Sequence, residues 1–514
     1  MKFIILIVVL LFSKNVFPSY LIGDTIFGSL AKPLPINKNL KTVLDKLYAL
    51  KNNNKEKNKT FTILHIGDSH VQGDYFSGEI RSQLQSYFGF AGIGAIFPYS
   101  LAKSIGPRGS ISKTEGKWES CNILSSRNDL KLGILGYGLS TKKDNASIVF
   151  SIQEKFPIQD FTELKVWHTK DSSTFDIEIN SGFEFNNQYK SESGWAISSY
   201  VTKFPQTEFK FSTKQTQKKQ NHVEFLGFEL LNSNSGGINY HHLGVVGAQF
   251  THFIKYANFN LEQMFYLKPD LIIFSFGTNE AYNNPFDSSD YYNTISNFIN
   301  KLTKQLPEAG IIFTTAPDTR SMGKIPPFQI SVNNQIKKIA NEFQLSVFDL
   351  NEEMGGWGSL YKWYKNGLTL KDKLHFKQPG YALQGRLFIN ALLDTYNSVN
   401  EENKLNLNPL KDSIYFYMKK ILKEDVYDNI HLEKVNKTDS ANSNNQHKKN
   451  EVLKISNKNF TSNKEITHVI KKGESIYSIG KKYNINYKNI LKQNNLTEKS
   501  LIRPGVILLI KINN

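Results

Sequence analysis

The fold is decided by the stretch FTILHIGDSH, residues 61–70. Its first six residues are an apolar run of strand length, and Gly67 and Asp68 are typical of a turn. A helical pattern then continues to about residue 88. The stretch predicts a strand, a tight turn and a helix, with Ser69 at the point where the strand meets the helix.

Units of the same kind return in the second half of the chain. Apolar runs there predict buried strands at 270–276 (DLIIFSF), 310–316 (GIIFTTA) and 345–350 (LSVFDL). Helical patterns lie between and after them, at 288–305, 329–343 and 379–396. Strands that alternate with helices imply a parallel sheet with helices on both faces. We therefore expect an α/β fold with three layers.

The character of the sequence changes between 109 and 234. Short segments rich in β-branched and aromatic residues recur there: ASIVFSI (146–152), ELKVWHT (163–169), FDIEI (175–179), EFKFST (208–213) and HVEFLGFELL (222–231). Polar turns separate them and no pattern of helical length intervenes. This arrangement predicts an all-β sandwich inserted into the α/β domain.

Length and composition set the outer limits. A chain of 514 residues is expected to form three to four folded units. A hydrophobic fraction of 39% excludes a chain that is disordered throughout. The net charge of +17 favours a polyanionic partner, which could be nucleic acid, anionic lipid or a cell-wall polymer. The single cysteine, Cys121, excludes an internal disulfide and zinc fingers.

Residues 1–19 have the pattern of a secretory signal peptide. Lys2 precedes about ten apolar residues, a run too short to span a bilayer. The alternative is a buried strand or helix at the start of the fold. We expect an exported protein of the periplasm or cell envelope, with no stable membrane span after signal cleavage.

Three residues have the chemistry for nucleophilic catalysis. A serine hydroxyl needs an adjacent base, and His375 in the stretch DKLH (372–375) is the candidate for Ser69. Asp372, three residues before His375, can reach the imidazole and fix its tautomer. Taken singly, Ser69 could equally cap a helix and His375 could be a loop histidine with a local salt bridge.

Acyl transfer also requires donors for the developing oxyanion. Asn279 follows the predicted strand at 270–276, and its side-chain amide can donate. Gly247 could present a backbone N–H close to a substrate because it lacks a Cβ atom. The alternatives are a helix-capping asparagine and a turn glycine.

The sequence offers no metal site. His241 and His242 are adjacent rather than four residues apart, and there is no HExxH motif. We expect an enzyme that needs neither a metal nor another cofactor. No nucleic-acid-binding motif occurs either.

Together and in this chain order, GDS at 67–69, Gly247, GTN at 277–279 and DKLH at 372–375 resemble the four sequence blocks of the SGNH (GDSL-type) hydrolases. The resemblance implies an ester hydrolase with Ser69 as nucleophile, His375 as base and Asp372 as its partner. It places the Ser69 N–H, the Gly247 N–H and the Asn279 side chain in the oxyanion hole. His70 and Glu280 depart from the usual blocks, which have Leu and Asp there.

The sequence stretches LHIGDSHVQGD (64–74) and YHHLGVVGAQ (240–249) are similar to those of a narrower branch of the family, the bacterial peptidoglycan O-acetylesterases. That branch carries a β-sandwich resembling a carbohydrate-binding module, which agrees with the insertion. Trp118, Trp167 and Trp195 could stack on sugar rings there, although most tryptophans of a sandwich lie in its core.

The C-terminal residues resemble a LysM domain, a βααβ unit. The similarity rests on THVIKKGESIYSIGKKY (467–483), Asn494-Asn495 and Arg503-Pro504-Gly505. LysM domains bind peptidoglycan or other glycans that contain N-acetylglucosamine. The resemblance assigns this contact to Gly473, Glu474, Ser475, Ile476, Leu501, Ile502, Arg503 and Pro504.

These observations predict six segments along the chain. They are a signal peptide (1–19), a hydrolase domain in two parts (20–108 and 235–424), the inserted β-sandwich (109–234), a flexible linker (425–465) and a LysM domain (466–514). The LysM segment has nine Lys and Arg residues against two Glu, so it concentrates the positive charge.

The predicted function is that of an exported serine esterase that removes O-acetyl groups from peptidoglycan and is held on the cell wall by LysM. One alternative is an acetylesterase or acyltransferase acting on another polysaccharide. The other is a peptidoglycan-binding protein without catalytic activity.

Overall fold

The computed structural model describes most of the chain. The described residues are 31–52, 59–107, 109–125, 130–153, 160–180, 182–282, 286–320, 325–423, 464–469, 475–483, 485–494 and 507–512. The predicted signal peptide and most of the predicted linker lie outside these ranges. Two compact units divide the chain, residues 1–428 and 429–514.

The first unit has eleven α-helices in the described ranges. They are α1 (Lys38–Asn52), α2 (Ser69–Gln72), α3 (Phe76–Phe88), α4 (Phe250–Lys255), α5 (Ala257–Leu267), α6 (Ser288–Gln305), α7 (Gln329–Glu342), α8 (Leu350–Glu353), α9 (Ser359–Lys365), α10 (Gln378–Val399) and α11 (Asn408–Lys423).

The strands of the first unit are β1 (Thr60–Gly67), β2 (Phe90–Ile96), β3 (Ser110–Glu115), β4 (Glu119–Asn122), β5 (Tyr137–Thr141), β6 (Ser147–Ile152), β7 (Phe161–Thr169), β8 (Asp176–Ile179), β9 (Glu184–Lys190), β10 (Trp195–Gln206), β11 (Glu208–Lys214), β12 (Val223–Leu231), β13 (Gly237–Gly244), β14 (Leu271–Ser275), β15 (Gly310–Thr314) and β16 (Ser346–Phe348).

A twelve-stranded mixed sheet runs through the first unit. Its order is β16-β15-β14-β1-β13-β2-β12-β7-β10-β9, with β5 paired to β12 and β4 to β5. The strands from β16 to β2 are parallel, and every pairing from β2–β12 outward is antiparallel. The predicted α/β fold class is confirmed.

The inserted strands form two packed layers, but one of these layers is the antiparallel half of the large sheet. The other is the antiparallel sheet β3-β6-β11-β8. Aromatic side chains fill the space between them; Phe209 lies 4.5 Å from Phe228 and Phe211 lies 5.4 Å from Phe225, between ring centroids. The β2–β12 pairing therefore joins the predicted sandwich edge to edge with the parallel half of the sheet.

Helices cover both faces of the parallel half because its strands are apolar on both sides. Successive strand residues point to opposite faces. In β1, Phe61 and Ile63 join a core with residues of α1, α3 and α10, whereas Leu64 and Ile66 join a core with residues of α4, α6 and α7. The three layers predicted from the sequence follow from this alternation.

The helical pattern after Ser69 is interrupted. Helix α2 ends at Gln72 and α3 begins at Phe76, because Asp74 adopts a left-handed conformation with φ of 55°. The buried Asp74 carboxylate accepts from both terminal nitrogens of Arg81, at 3.0 and 2.6 Å. This ion pair stabilises the interruption between α2 and α3, which the periodicity of the sequence does not reveal.

The second unit has the predicted βααβ order. Strands β17 (Lys464–Val469) and β18 (Ile507–Ile512) pair antiparallel, and α12 (Ile476–Tyr483) and α13 (Tyr487–Gln493) lie between them in the chain. In the residues that the structure describes, no helix of either unit has the length and apolar character needed to cross a membrane.

Candidate active site

Strand register brings the predicted site residues to one edge of the sheet. In the parallel pairing, Gly67 at the end of β1 lies opposite Gly244 of β13 and opposite Ser275 of β14. The loops that carry Ser69, Gly247 and Asn279 therefore leave three adjacent strands at the same carboxyl edge. Ligands of open α/β sheets bind at this edge.

The turn after β1 is tight, and Gly67 is necessary for it. A Cβ atom at this position would lie 2.5 Å from the Ser275 carbonyl oxygen and 2.5 Å from a methyl carbon of Val71. Asp68 then caps α2, since its carboxylate accepts from the His70 N–H at 2.9 Å. Ser69 follows as the first residue of α2, half-buried, on a rigid turn.

The side chains of Ser69, His375 and Asp372 form a hydrogen-bonded series. Ser69 Oγ lies 3.1 Å from His375 Nε2, and His375 Nδ1 lies 2.9 Å from Asp372 Oδ2. A His375 ring protonated on Nδ1 donates to Asp372 and leaves Nε2 to accept from the Ser69 hydroxyl. This is the arrangement that activates a serine nucleophile.

Asp372 also organises the loop that carries the base. Its Oδ1 atom accepts from the backbone N–H groups of Leu374 and His375, at 2.9 and 3.0 Å. Partial burial raises the pKa of Asp372, but the hydrogen bonds from the His375 side chain and from these N–H groups outweigh it, so the pKa lies below its ordinary value. Asp372 is therefore ionised when His375 needs a partner.

Two predicted oxyanion donors are open. Within the described ranges, the backbone N–H groups of Ser69 and Gly247 donate to no protein acceptor. Both hydrogens of the Asn279 amide have acceptors, the Ala248 carbonyl at 2.8 Å and Asp68 Oδ2 at 3.3 Å. Asn279 can serve an oxyanion only by giving up one of them, and the longer bond to Asp68 is the weaker.

Two buried carboxyl groups lie beneath these donors. Burial raises the pKa of Asp68 to about 8, and the nearby Glu280 adds to the rise. Burial likewise raises the pKa of Glu280 to about 7. Glu280 accepts from the backbone N–H groups of Phe250 and Gly277, so it joins α4 to the loop after β14. The residue that departs from the usual third block thus holds the Asn279 loop in place.

His70 packs against the candidate base. The two imidazole rings are 5.6 Å apart between centroids and inclined by 28°. The Tyr381 hydroxyl on α10 lies 3.0 Å from His70 Nδ1. Burial, and then the neighbouring His375, lower the pKa of His70 to about 3, so the ring is neutral. His70 therefore supports one face of His375 without adding a charge.

A comparison with family profiles matches residues 224–383 to the GDSL-like lipase/acylhydrolase family and residues 468–511 to the LysM domain. The chain carries a GDSL-like lipase/acylhydrolase domain. Its enzyme class is that of the carboxylic ester hydrolases. The matched range of the hydrolase domain includes Gly247, Asn279, Asp372 and His375, whereas Ser69 lies before it, on the far side of the insertion.

One solved structure shares the fold over most of this chain. A structure described as "Peptidoglycan O-acetylesterase in action, 5 min" is 22% identical and aligns with a TM-score of 0.60 over 72% of this chain and 100% of its own. A lipase/acylhydrolase from Enterococcus faecalis (20% identical, 30% of this chain, 74% of its own) and a catalytic mutant of an acetylxylan esterase from Geobacillus stearothermophilus (21%, 30%, 73%) each have a TM-score of 0.25. Curated protein sequences gave no match.

The residues predicted to bind glycan in the LysM domain are only partly described. Ser475 is exposed directly before α12, and Ile476 is buried in the small core of the domain. A side-chain contact to glycan by Ile476 would require that core to open. The other six predicted residues, Gly473, Glu474, Leu501, Ile502, Arg503 and Pro504, lie outside the described residues.

The three tryptophans of the insertion differ in how deeply they are buried. Trp167 and Trp195 are buried and stack on each other with ring centroids 5.5 Å apart, so neither face of that pair is open to a sugar. Trp118 is half-buried against Phe211. Among the residues that the structure describes, no group of three or more His, Cys, Asp or Glu side chains could hold a metal ion.

Sequence reasoning missed the contacts beneath the site. Tyr381 reaches His70 across 311 positions of the chain, and Asp68 reaches Asn279 across 211. The helical pattern that contains Tyr381 indicates a buried residue but not its partner. The unusual residues His70 and Glu280 were the available signal, since each departs from its block and each is buried in the site.

Proposed function

We propose that this protein is an exported serine esterase that removes O-acetyl groups from peptidoglycan. The observation that carries the proposal is the hydrogen-bonded series Ser69–His375–Asp372 at the carboxyl edge of the parallel sheet. The fold shared with a structure described as a peptidoglycan O-acetylesterase supports the substrate, and the LysM domain supports attachment to the cell wall.

The reaction begins with attack of Ser69 Oγ on the acetyl carbonyl carbon. His375 Nε2 takes the hydroxyl proton, and ionised Asp372 stabilises the imidazolium that forms. As the tetrahedral intermediate collapses, His375 gives the proton to the departing sugar oxygen and Ser69 keeps the acetyl group. His375 then takes a proton from the water that attacks the acetyl-enzyme, and it returns this proton to Ser69 Oγ as acetate is released.

The negative charge of each intermediate is met by the N–H groups of Ser69 and Gly247 and by Asn279. Asn279 exchanges its 3.3 Å bond to Asp68 for a bond to the oxyanion. Because the pKa of Asp68 is raised to about 8, this carboxyl is mostly protonated at neutral pH and is a poor competitor for the Asn279 hydrogen.

The LysM domain tethers the enzyme to its polymer. Tethering raises the effective concentration of substrate without a new contact at the active site. The positive charge of residues 466–514 favours a wall polymer with anionic substituents.

Acetate release from O-acetylated peptidoglycan tests the proposed substrate. We expect the purified enzyme to release acetate from this polymer and to hydrolyse p-nitrophenyl acetate. Release from acetylated xylan alone would favour the alternative of another polysaccharide. Binding to peptidoglycan with no hydrolysis of either ester would favour the binding protein without catalytic activity.

A variant that lacks residues 429–514 tests the tether. The removed residues form a compact unit of their own, so the hydrolase domain should keep its turnover of p-nitrophenyl acetate. We expect the variant to be lost from pull-downs on insoluble peptidoglycan, and unchanged binding would contradict the anchoring role of LysM.

A further inference from the structure

An exposed aromatic and cationic patch lies beside the loop of the candidate base. We give the name α9 patch to Tyr361 and Tyr364 of α9, to Lys373, which lies over their rings, and to Trp357, which comes two residues before α9. Trp357 is 41% exposed and Tyr364 is 39% exposed. Large aromatic side chains that stay exposed on a folded surface mark candidate binding sites.

Lys373 is held at a fixed place in this patch. Its ammonium nitrogen lies 4.9 Å from the centre of the Tyr361 ring and 4.8 Å from that of Tyr364. Both contacts are within the range of cation–π attraction. Within the described ranges, no carboxylate forms an ion pair with Lys373, so its charge is available to a ligand.

The patch is rigidly joined to the catalytic loop. The Lys373 carbonyl accepts from the Arg320 N–H at 2.7 Å. Asp318, two residues earlier, accepts from the N–H groups of Gly358 and Leu360, at 2.8 and 3.1 Å. The segment 318–320 therefore links the start of α9 to the loop of His375.

Trp357 lies in the turn that precedes α9. Trp357 stands between Gly356 and Gly358, which have φ values of 74° and 95°, a region that favours glycine. On the buried side of α9, Trp363 packs edge-on against Phe376, the neighbour of His375, at 5.8 Å between ring centroids. The patch and the base thus share one support, and Lys373 is two residues from His375.

We propose that the α9 patch is a subsite for a carboxylate-bearing sugar of the glycan whose acetyl group reaches Ser69. The inference rests on the proposed function and deepens it. The exposed Trp357 ring stacks on the apolar face of the sugar, and the Lys373 ammonium pairs with the carboxylate. Peptidoglycan carries carboxylates on its lactyl and peptide substituents, whereas a neutral polysaccharide would leave Lys373 unpaired.

Competitive inhibition of p-nitrophenyl acetate hydrolysis tests the subsite directly. The inhibitors are soluble, deacetylated peptidoglycan fragments and neutral N-acetylglucosamine oligomers of equal length. The small ester has no sugar, so this assay does not depend on whether the fragments are substrates.

In the wild type we expect the acidic fragments to inhibit more strongly than the neutral oligomers. Trp357→Ala should weaken inhibition by both about tenfold, and Trp357→Phe should restore most of it. Lys373→Met should lower the preference for the acidic fragments by about tenfold. The preference should also lose its dependence on salt. Lys304→Met, a change of an exposed lysine at the end of α6, is the matched control and should behave as the wild type.

Equal inhibition by both glycans in the wild type would overturn the proposal. So would unchanged inhibition in the Trp357 and Lys373 variants. If inhibition follows the expectation but no acetate is released from O-acetylated peptidoglycan, the subsite stands and the proposed substrate is wrong.

Discussion

The parallel and antiparallel halves of the large sheet are both well packed, yet they differ in what they present at their ends. In the parallel half, β1, β13 and β14 all end at one edge, and the loops with Ser69, Gly247 and Asn279 meet there. In the antiparallel half, neighbouring strands end on opposite sides, so their loops are divided between two edges. Strand direction therefore decides where a site can be assembled.

Two buried acids at the site differ in their partners from a buried acid in the antiparallel half. Asp68 and Glu280 lie beneath the site, no ion pair with a cation is present at either of them among the described residues, and burial raises the pKa of both. Glu229 in β12 is also buried, but Lys165 at 4.0 Å and His241 outweigh the effect of burial and hold its pKa below the ordinary value. The two acids at the site therefore favour their protons, whereas the partners of Glu229 favour its ionised form.

The largest expected effect is the loss of activity when Ser69 is replaced, compared with the replacement of Ser199 in the antiparallel half. Ser69→Ala should lower kcat for p-nitrophenyl acetate by about 10⁴-fold or more, because no nucleophile remains. Ser199→Ala removes an equally small hydroxyl from β10, where Ser199 donates to Glu163 at 2.8 Å. We expect that variant to keep the wild-type kcat. Similar rates for the two variants would contradict the assignment of the nucleophile.

The second prediction concerns the stability of the protein rather than its rate of catalysis. Trp195 is fully buried in the antiparallel half, where it stacks on Trp167 and contacts Tyr266 of α5. Trp195→Ala should lower the free energy of unfolding by about 3–5 kcal/mol through the cavity it leaves. Urea unfolding measures this loss. The folded fraction should keep its kcat/KM for p-nitrophenyl acetate, and a tenfold fall would show that the halves are coupled.

The smallest expected effect is a pH dependence of opposite sign in the two halves. The pKa of Glu280 is about 7 in the folded protein against an ordinary value of 4.5. The folded state thus holds this proton more tightly than the unfolded chain, so the stability from Glu280 is full below pH 4.5 and is lost as the pH rises through about 7. The loss is at most about 3 kcal/mol.

Glu280→Gln should therefore reduce the fall in unfolding free energy between pH 4.5 and 7.5, measured in urea. Glu229→Gln is the counterpart from the antiparallel half. Because the pKa of Glu229 is lowered, its contribution is present above the ordinary value and is lost on acidification. An unchanged slope in the Glu280 variant would mean that this carboxyl is ionised in the folded protein.

Apolar periodicity predicted the parallel half well. The strands β14 and β15 and the helices α6, α7 and α10 begin and end within a few residues of the patterns in the sequence. Apolar periodicity failed to predict strands in which the pattern of apolar and polar residues does not match the pattern of burial. Strand β9 reads EFNNQYK and is mostly exposed at the sheet edge, while β13 reads GINYHHLG and is buried at every position. Neither has the alternation of a half-buried strand.

Some features of the candidate site could be predicted from the sequence and others could not. Residues at strand ends, such as Ser69 and Asn279, could be placed from the sequence because a parallel sheet fixes where its strands end. The bond between Asn279 and Asp68 and the stacking of His70 on His375 depend on side chains that approach from distant parts of the chain. No local pattern encodes such distances.

The separation of Ser69 from His375 has a consequence for the timing of activity. These residues are 306 positions apart, and the central strand β1 pairs with β13 and β14, which come only after the whole insertion. A nascent chain therefore contains Ser69 long before His375 has been synthesised. Pairings this distant in the chain form slowly. Until the loop of His375 has been synthesised and has folded into place, the hydrogen-bonded series Ser69–His375–Asp372 cannot form.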